Sequence, residues 1–214
     1  MDNVPPLQFA YFCDNRVMKK FLIIVIILSL AGCGPRTIPT LTVVPDATKA
    51  RFVALFHRVN NEIGTPGANA FLRDTQEVNA WMDGEMNITL GALRYDDDTV
   101  TFIMAHELSH AKLNHVLNRK ILSGGITAAM IFIGTLIPGA GLLNHAINPA
   151  VVNNFSKPQE LDADKLASDT CLKLGIPISK QIDIMNNLRK ASADGGGFWS
   201  QHPSWDDRIQ NISR

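Results

Sequence analysis

Residues 102–110, Phe-Ile-Met-Ala-His-Glu-Leu-Ser-His, constrain this chain more than any other stretch. Phe102, Ile103, Met104 and Ala105 form an apolar approach to two histidines four residues apart. On a helix His106 and His110 lie one turn apart on one face, both able to reach a single ion. Glu107 between them is placed to take a proton from water at that ion. Zinc acidifies such water and polarises a scissile carbonyl, so one ion and one carboxylate suffice for amide hydrolysis. The pattern is short, and a capped surface helix can carry it by chance. The apolar approach argues for a buried helix instead.

A third ligand must come from beyond that helix. Glu160 is the candidate, in Ser156-Lys157-Pro158-Gln159-Glu160-Leu161-Asp162-Ala163-Asp164. Glu160 and Asp164 are again four apart, so Glu160 can ligate while Asp164 holds the other ring nitrogen of a ligand histidine. Taken alone, Glu160 reads equally well as a first-turn glutamate favoured by the helix dipole.

The remaining chain predicts an α+β domain, mostly helical. Asp46 caps a helix with Val53, Phe56, Val59 and Ile63 at 3–4 spacing, closed by Gly64 and Pro66. Residues 70–72 read as a short strand. Residues 78–82 and 86–90 flank Asp83-Gly84, a hairpin signal that predicts a small antiparallel sheet against the histidine helix. Asp96, Asp97 and Asp98 open that helix, which the pattern carries to about Arg119. A capping box at Ser156 and Gln159, with Pro158 early, opens another helix that ends near Gly175. Residues 179–193 form an amphipathic helix, and Ser204 caps a short last one.

The N-terminus reads as a targeting segment. Lys19 and Lys20 precede the ten-residue apolar run 21–30, and Leu30-Ala31-Gly32-Cys33 resembles the lipobox of bacterial lipoproteins. That resemblance implies cleavage before Cys33 and acylation (palmitate) of its thiol, with a membrane anchor strong enough to be stable. The apolar run is shorter than the roughly 20 residues of a spanning helix. Met18 is taken as the true start, with residues 1–32 an upstream extension and signal peptide, 33–45 a tether and 46–214 the folded domain. Gly34, rather than an aspartate, implies sorting to the outer membrane. Cys13 would leave with the leader, so Cys171 stands alone and no internal disulfide is expected. Twenty basic and twenty acidic residues give no electrostatic footprint for nucleic acid.

Residues 121–156 carry no Asp, Glu, Lys or Arg. A single membrane span there would separate Glu160 from His106 and His110, and two spans need about 40 apolar residues. The segment is therefore expected either as a non-spanning hairpin, over the cleft or dipping into the membrane, or as a buried core helix.

Four features, in order, resemble the HtpX and CAAX-prenyl-protease family of gluzincin metallopeptidases, and its small lipoprotein members in particular. They are Asn79-Ala80-Trp81; Ala105-His106-Glu107-Leu108-Ser109-His110 with His115 five on; Ser156-Lys157-x-x-Glu160-x-x-Ala163-Asp164, with Lys where the family has Arg; and His202-Pro203 with Arg208. The resemblance implies a zincin-type domain with one Zn2+ held by His106, His110 and Glu160. It implies Glu107 as general base, Asp164 behind a ligand, and His202 as donor to the oxyanion. Arg208 would orient His202 or the acidic network, or be an ordinary surface arginine. Asn79 and Ala80 would lie on an edge strand to which a peptide adds by backbone hydrogen bonds. His115 is expected to face the protein or solvent, His57 and His145 receive no role, and Trp199 and Trp205 pack the C-terminal segment. The implied function is an envelope endopeptidase facing the periplasm and acting on unfolded or misfolded proteins. The alternatives are a non-catalytic assembly factor with a structural zinc, and a binding module with a chance motif.

Overall fold

The first helix, α1 (Asp46–Ile63), buries Phe52, Leu55, Phe56, Val59 and Ile63. Val53, expected on that stripe, is exposed because it sits about 100° round the helix from Phe52. Asp46 is the first helical residue rather than the cap, which is Pro45. Arg51 pins α1 to the turn ahead of the next helix, with Nη2 donating to Tyr95 O at 2.8 Å and Nε to Asp97 at 2.7 Å. The computed structural model describes residues 44–137, 139–145, 147, 155–193 and 205–213.

Three short strands follow, β1 (Ala70–Arg73), β2 (Ala80–Met82) and β3 (Met86–Thr89), in the order β1-β3-β2. The hairpin at Asp83-Gly84 pairs β2 with β3 antiparallel, Ala80 opposite Ile88 and Met82 opposite Met86. The sheet is nonetheless mixed, not antiparallel throughout, because β1 pairs with β3 in parallel. Successive strands reverse direction, so a third strand inserted between the first two runs with the first. Gly91, after β3, is required by space: a Cβ there would lie 2.3 Å from Gln76 O and 2.4 Å from Glu77 O.

The central helix α2 (Asp97–Lys112) buries every residue from Thr99 to His110. α1, β2, β3, α4 (Lys157–Lys173) and α5 (Ile178–Ala193) all pack against it. The chain does not continue helically to Arg119 as expected. Asn114 takes a left-handed conformation, φ 59°, which asparagine tolerates. A separate helix, α3 (His115–Leu136), starts there in a new direction. Only His115, Val116 and Met130 of α3 are buried, which corrects the core-helix alternative for this segment. Beyond it a 3₁₀ turn, Ala140–Leu143, folds back against α3, so helix and turn form a hairpin.

Helix α4 opens with Ser156 N donating to Gln159 Oε1 at 2.9 Å, the glutamine half of the expected capping box. Gln181, buried in α5, donates from Nε2 to Ile176 O and Ser168 O at 2.8 and 3.2 Å, which locks the α4–α5 turn. The last helix, α6 (Trp205–Ile212), lies on α4 and α5. Asn211 donates to Leu161 O at 2.8 Å, and Lys157 pairs with Asp207 at 2.7 Å. The expected cap, Ser204, lies outside the described residues.

Candidate metal centre

Asp96 starts α2 as its N-cap, with Oδ1 accepting from Thr99 N at 2.8 Å. From that start the helical period sets His106 and His110 on one buried face, with their Nε2 atoms 3.2 Å apart. The first turn of α4 delivers Glu160 to the same point. Its Oε2 is 3.4 Å from His106 Nε2, and its Oε1 is 3.5 Å from His110 Nε2. A tetrahedral zinc with bonds of about 2.0–2.1 Å has ligand-to-ligand edges of about 3.3–3.4 Å. The three separations match those edges, and ligand atoms of the trio all lie within 4.8 Å of one another. All three side chains are fully buried.

The far side of each imidazole is also held. His106 Nδ1 donates to Asp164 Oδ1 at 2.9 Å, the carboxylate–histidine arrangement that fixes a tautomer with Nε2 free to ligate. His110 Nδ1 is 3.1 Å from His115 Nδ1. With His110 Nε2 aimed at the ion, its proton sits on Nδ1 and is donated to His115. Phe155 stacks on the His110 ring at 3.7 Å between centroids and 11° between planes. The Arg119 guanidinium lies 4.3 Å over the opposite side of the arrangement, on Phe155.

Arg208 comes from α6 and is fully buried, which removes the surface-arginine reading. Its Nε donates to Asp164 Oδ2 at 2.6 Å and its Nη2 to Asp164 Oδ1 at 2.7 Å, a bidentate clamp. Its Nη1 is 3.6 Å from Glu160 Oε2. Arg208 thus braces both the ligand carboxylate and the carboxylate behind His106.

Among the described residues the fully buried charges here are three carboxylates, Glu107, Glu160 and Asp164, and one guanidinium, Arg208. With all three carboxylates ionised and the histidines neutral that set would carry a charge of −2, which one divalent cation would neutralise. Burial tends to lower the His106 pKa, but hydrogen bonds from Asp164 and Glu160 outweigh it and raise it to about 9 without metal. Burial, helped by nearby Glu160, lifts Glu107 to about 8. Burial also works against ionised Asp164, yet the Arg208 charge holds that carboxyl below its ordinary range.

The structure therefore brings together His106, Glu107, His110, Glu160, Asp164 and Arg208. His202 and Cys33 lie outside the described residues. Ala80 starts the edge strand β2 and is buried, while Asn79 just precedes it. Thr89 N donates to Asn79 O at 3.0 Å, so the Asn79 carbonyl faces β3 rather than the outer edge. By antiparallel alternation the Ala80 and Met82 main-chain groups point outward, and Met82 O accepts from Arg119 Nη2 at 3.2 Å. Trp205 packs against the core and sits under the Arg208 guanidinium, 5.3 Å from it. His57 and His145 are exposed.

His115 faces the protein, one of its two expected orientations, and supports His110. Sequence reasoning missed that contact, and it missed Phe155 and Arg119. The signal available for the contact was Asn114, whose tolerance of left-handed backbone turns the chain so that His115 returns to the site. Phe155 had none beyond its place next to the Ser156 cap.

The family model for peptidase family M48 matches residues 46–214, the whole of the described fold except its first two residues. A comparison with curated proteins gives no match. The family's peptidases are zinc enzymes, and the His106–His110–Glu160 cluster fits that ion. On that match and this geometry, the chain belongs to peptidase family M48 and is a zinc-dependent metalloendopeptidase.

Proposed function

We propose that the chain is an envelope endopeptidase, anchored in the outer membrane through acylated Cys33 and cleaving unfolded or misfolded polypeptides on the periplasmic side. The hydrolytic part is carried by one observation: three ligand atoms at tetrahedral-edge spacing, with both histidines braced from behind. The lipobox supports the anchor. The outward main-chain groups of Ala80 support backbone-directed, sequence-tolerant recognition of an extended segment.

In this reading His106, His110 and Glu160 hold zinc, which supplies a Lewis acid that polarises the scissile carbonyl and acidifies water. Glu107 takes a proton as the water oxygen bonds to the carbonyl carbon. It then passes that proton to the amide nitrogen as the C–N bond breaks. Glu107 is fully buried and adjacent in the helix to the His106 ligand, which places its carboxylate beside that water. His202, placed by the His-Pro motif alone, donates to the carbonyl oxygen as it gains charge. Asp164, His115 and Arg208 hold the ligands in position and do not touch substrate.

Glu107→Gln tests this directly. The variant should retain one zinc per chain and an unchanged circular dichroism spectrum, and lose cleavage of reduced casein by at least about a hundredfold. Retained cleavage would remove Glu107 from the chemistry. Full function in cells without cleavage would favour the non-catalytic assembly factor.

A further inference from the structure

Helix α3 leaves the metal centre at His115, and the chain is again beside that centre at Phe155. His115 at one end and Phe155 at the other both lie against His110, with ring centroids 5.2 and 3.7 Å from it. Between them lie most of the exposed large hydrophobic side chains among the described residues. Ile131, Phe132, Leu136, Ile137, Leu142 and Leu143 are each more than half exposed, Leu142 at 72%. Ile131 and Phe132 are neighbours about 100° apart on α3, and the 3₁₀ turn adds leucines from the return side. The tip is apolar on several sides rather than on one stripe. An amphipathic helix docking in a protein groove offers one face, whereas a surface that is apolar all round suits a hydrocarbon phase.

We propose that the tip of this hairpin inserts into one leaflet of a lipid bilayer, as a second membrane contact separate from acylation at Cys33. Four further observations fit lipid better than a protein partner. Residues 121–156 carry no charged side chain, so the tip lacks the polar rim of a protein interface. Exposed Lys120 stands where the uncharged stretch begins, placed to meet anionic headgroups, while Arg119 and Lys157 at its two ends are held by Met82 O and Asp207. Leu136 lies 16 residues beyond Lys120, about 24 Å along the helix, close to one leaflet with its headgroups at about 20–22 Å. The helix keeps its backbone groups internally bonded, as insertion demands.

Helix His115–Leu136 is long and apolar enough to cross a bilayer by length and composition. Crossing is excluded because Phe155 returns to the same histidine that His115 supports. The return also packs tightly on α3, where a Cβ on Gly134 would lie 3.2 Å from Gly141 N. Insertion would then hold the metal centre close to the membrane surface, since His115 is five residues, about 8 Å, from Lys120. The reading borrows from the Cys33 anchor only the nearness of a bilayer: twelve residues separate Cys33 from Asp46, a reach of at most about 47 Å.

The test uses the full chain carrying Phe132→Cys, labelled with the fluorophore NBD, on vesicles of phosphatidylethanolamine and phosphatidylglycerol containing a doxyl-labelled lipid. Cys171 is buried and stays unlabelled. The same label at Asp169→Cys, an exposed site on α4, is the control. Label at 132 should shift to shorter wavelength and be quenched at least about threefold more than label at 169. Adding Ile131→Lys should abolish the difference. Protein that co-floats with vesicles while label at 132 stays unquenched overturns the proposal. So does a shift that appears without lipid and grows with protein concentration, which marks a second copy, or one that requires added reduced casein, which marks a client. Mass mapping of the label reports Cys33 independently. A labelled Cys33 refutes the acyl anchor and leaves the quenching result to decide the hairpin.

Discussion

Replacing Arg208 by methionine removes one partner of a fully buried pair while roughly keeping side-chain volume. Asp164 loses two short charge-assisted bonds, at 2.6 and 2.7 Å, and Glu160 loses a guanidinium at 3.6 Å. Breaking a buried pair in this way costs about 3–5 kcal/mol, mostly because a carboxylate is left desolvated without its cation. Against a total stability of about 5–15 kcal/mol, that is a large share. The assay is urea unfolding of metal-free protein followed by circular dichroism, so that zinc binding does not mask the loss. Arg208 holds the folded-state pKa of Asp164 below its ordinary value, against the upward push of burial. That contribution is present above the unfolded pKa and is lost as pH falls through the folded one. In Arg208→Met burial is opposed only by the His106 hydrogen bond, so the folded pKa of Asp164 rises from its parent value, and the penalty is largest at neutral pH and shrinks as Asp164 protonates in acid. Adding Asp164→Asn should recover part of the loss, because the carboxylate that Arg208 clamped is then no longer charged. A loss under about 1 kcal/mol at neutral pH, or one of the same size at every pH, would refute the reasoning.

Two other predictions rest on single contacts. His115→Ala should weaken zinc binding about 10–100-fold by competition with a chelating dye, with helix content unchanged, because His110 loses the acceptor on its Nδ1. Equal affinity would show that Phe155 stacking alone orients His110. Asp96→Ala should cost about 1 kcal/mol in urea unfolding at neutral pH, the usual worth of an N-cap. The Thr99 hydrogen bonds lower the Asp96 pKa, so the gap to the parent should close as pH falls below the ordinary aspartate range. A gap that widened in acid would contradict the capping assignment.

Local chemistry was the legible part of this chain. The 3–4 spacing in residues 52–63, the Asp83-Gly84 turn and the Asp96 cap each act within a few residues, and the helices and hairpin stand close to where those signals lie. The α+β class followed from them. The mixed sheet did not, because β3 inserts between strands through backbone pairing that leaves no mark on residue order. The break at Asn114 was missed for a different reason: apolar residues continue past it, so the pattern looks helical on both sides. At the centre, the spacing of His106 and His110 marked one face of one helix. The bracing by Arg208 spans 44 residues to Asp164, and an isolated arginine before polar residues looks like any surface arginine. Its burial is a property of α6 packing on α4, not of its neighbours in the chain.

The route by which Arg208 reaches the centre also sets an order of events. A chain emerging from a ribosome presents His106, His110 and Glu160 well before α6. Until those later residues arrive, Asp164 and Glu160 have no guanidinium, and the ligands stand without their clamp. Assembly of the braced site therefore waits on the last helix in the fold.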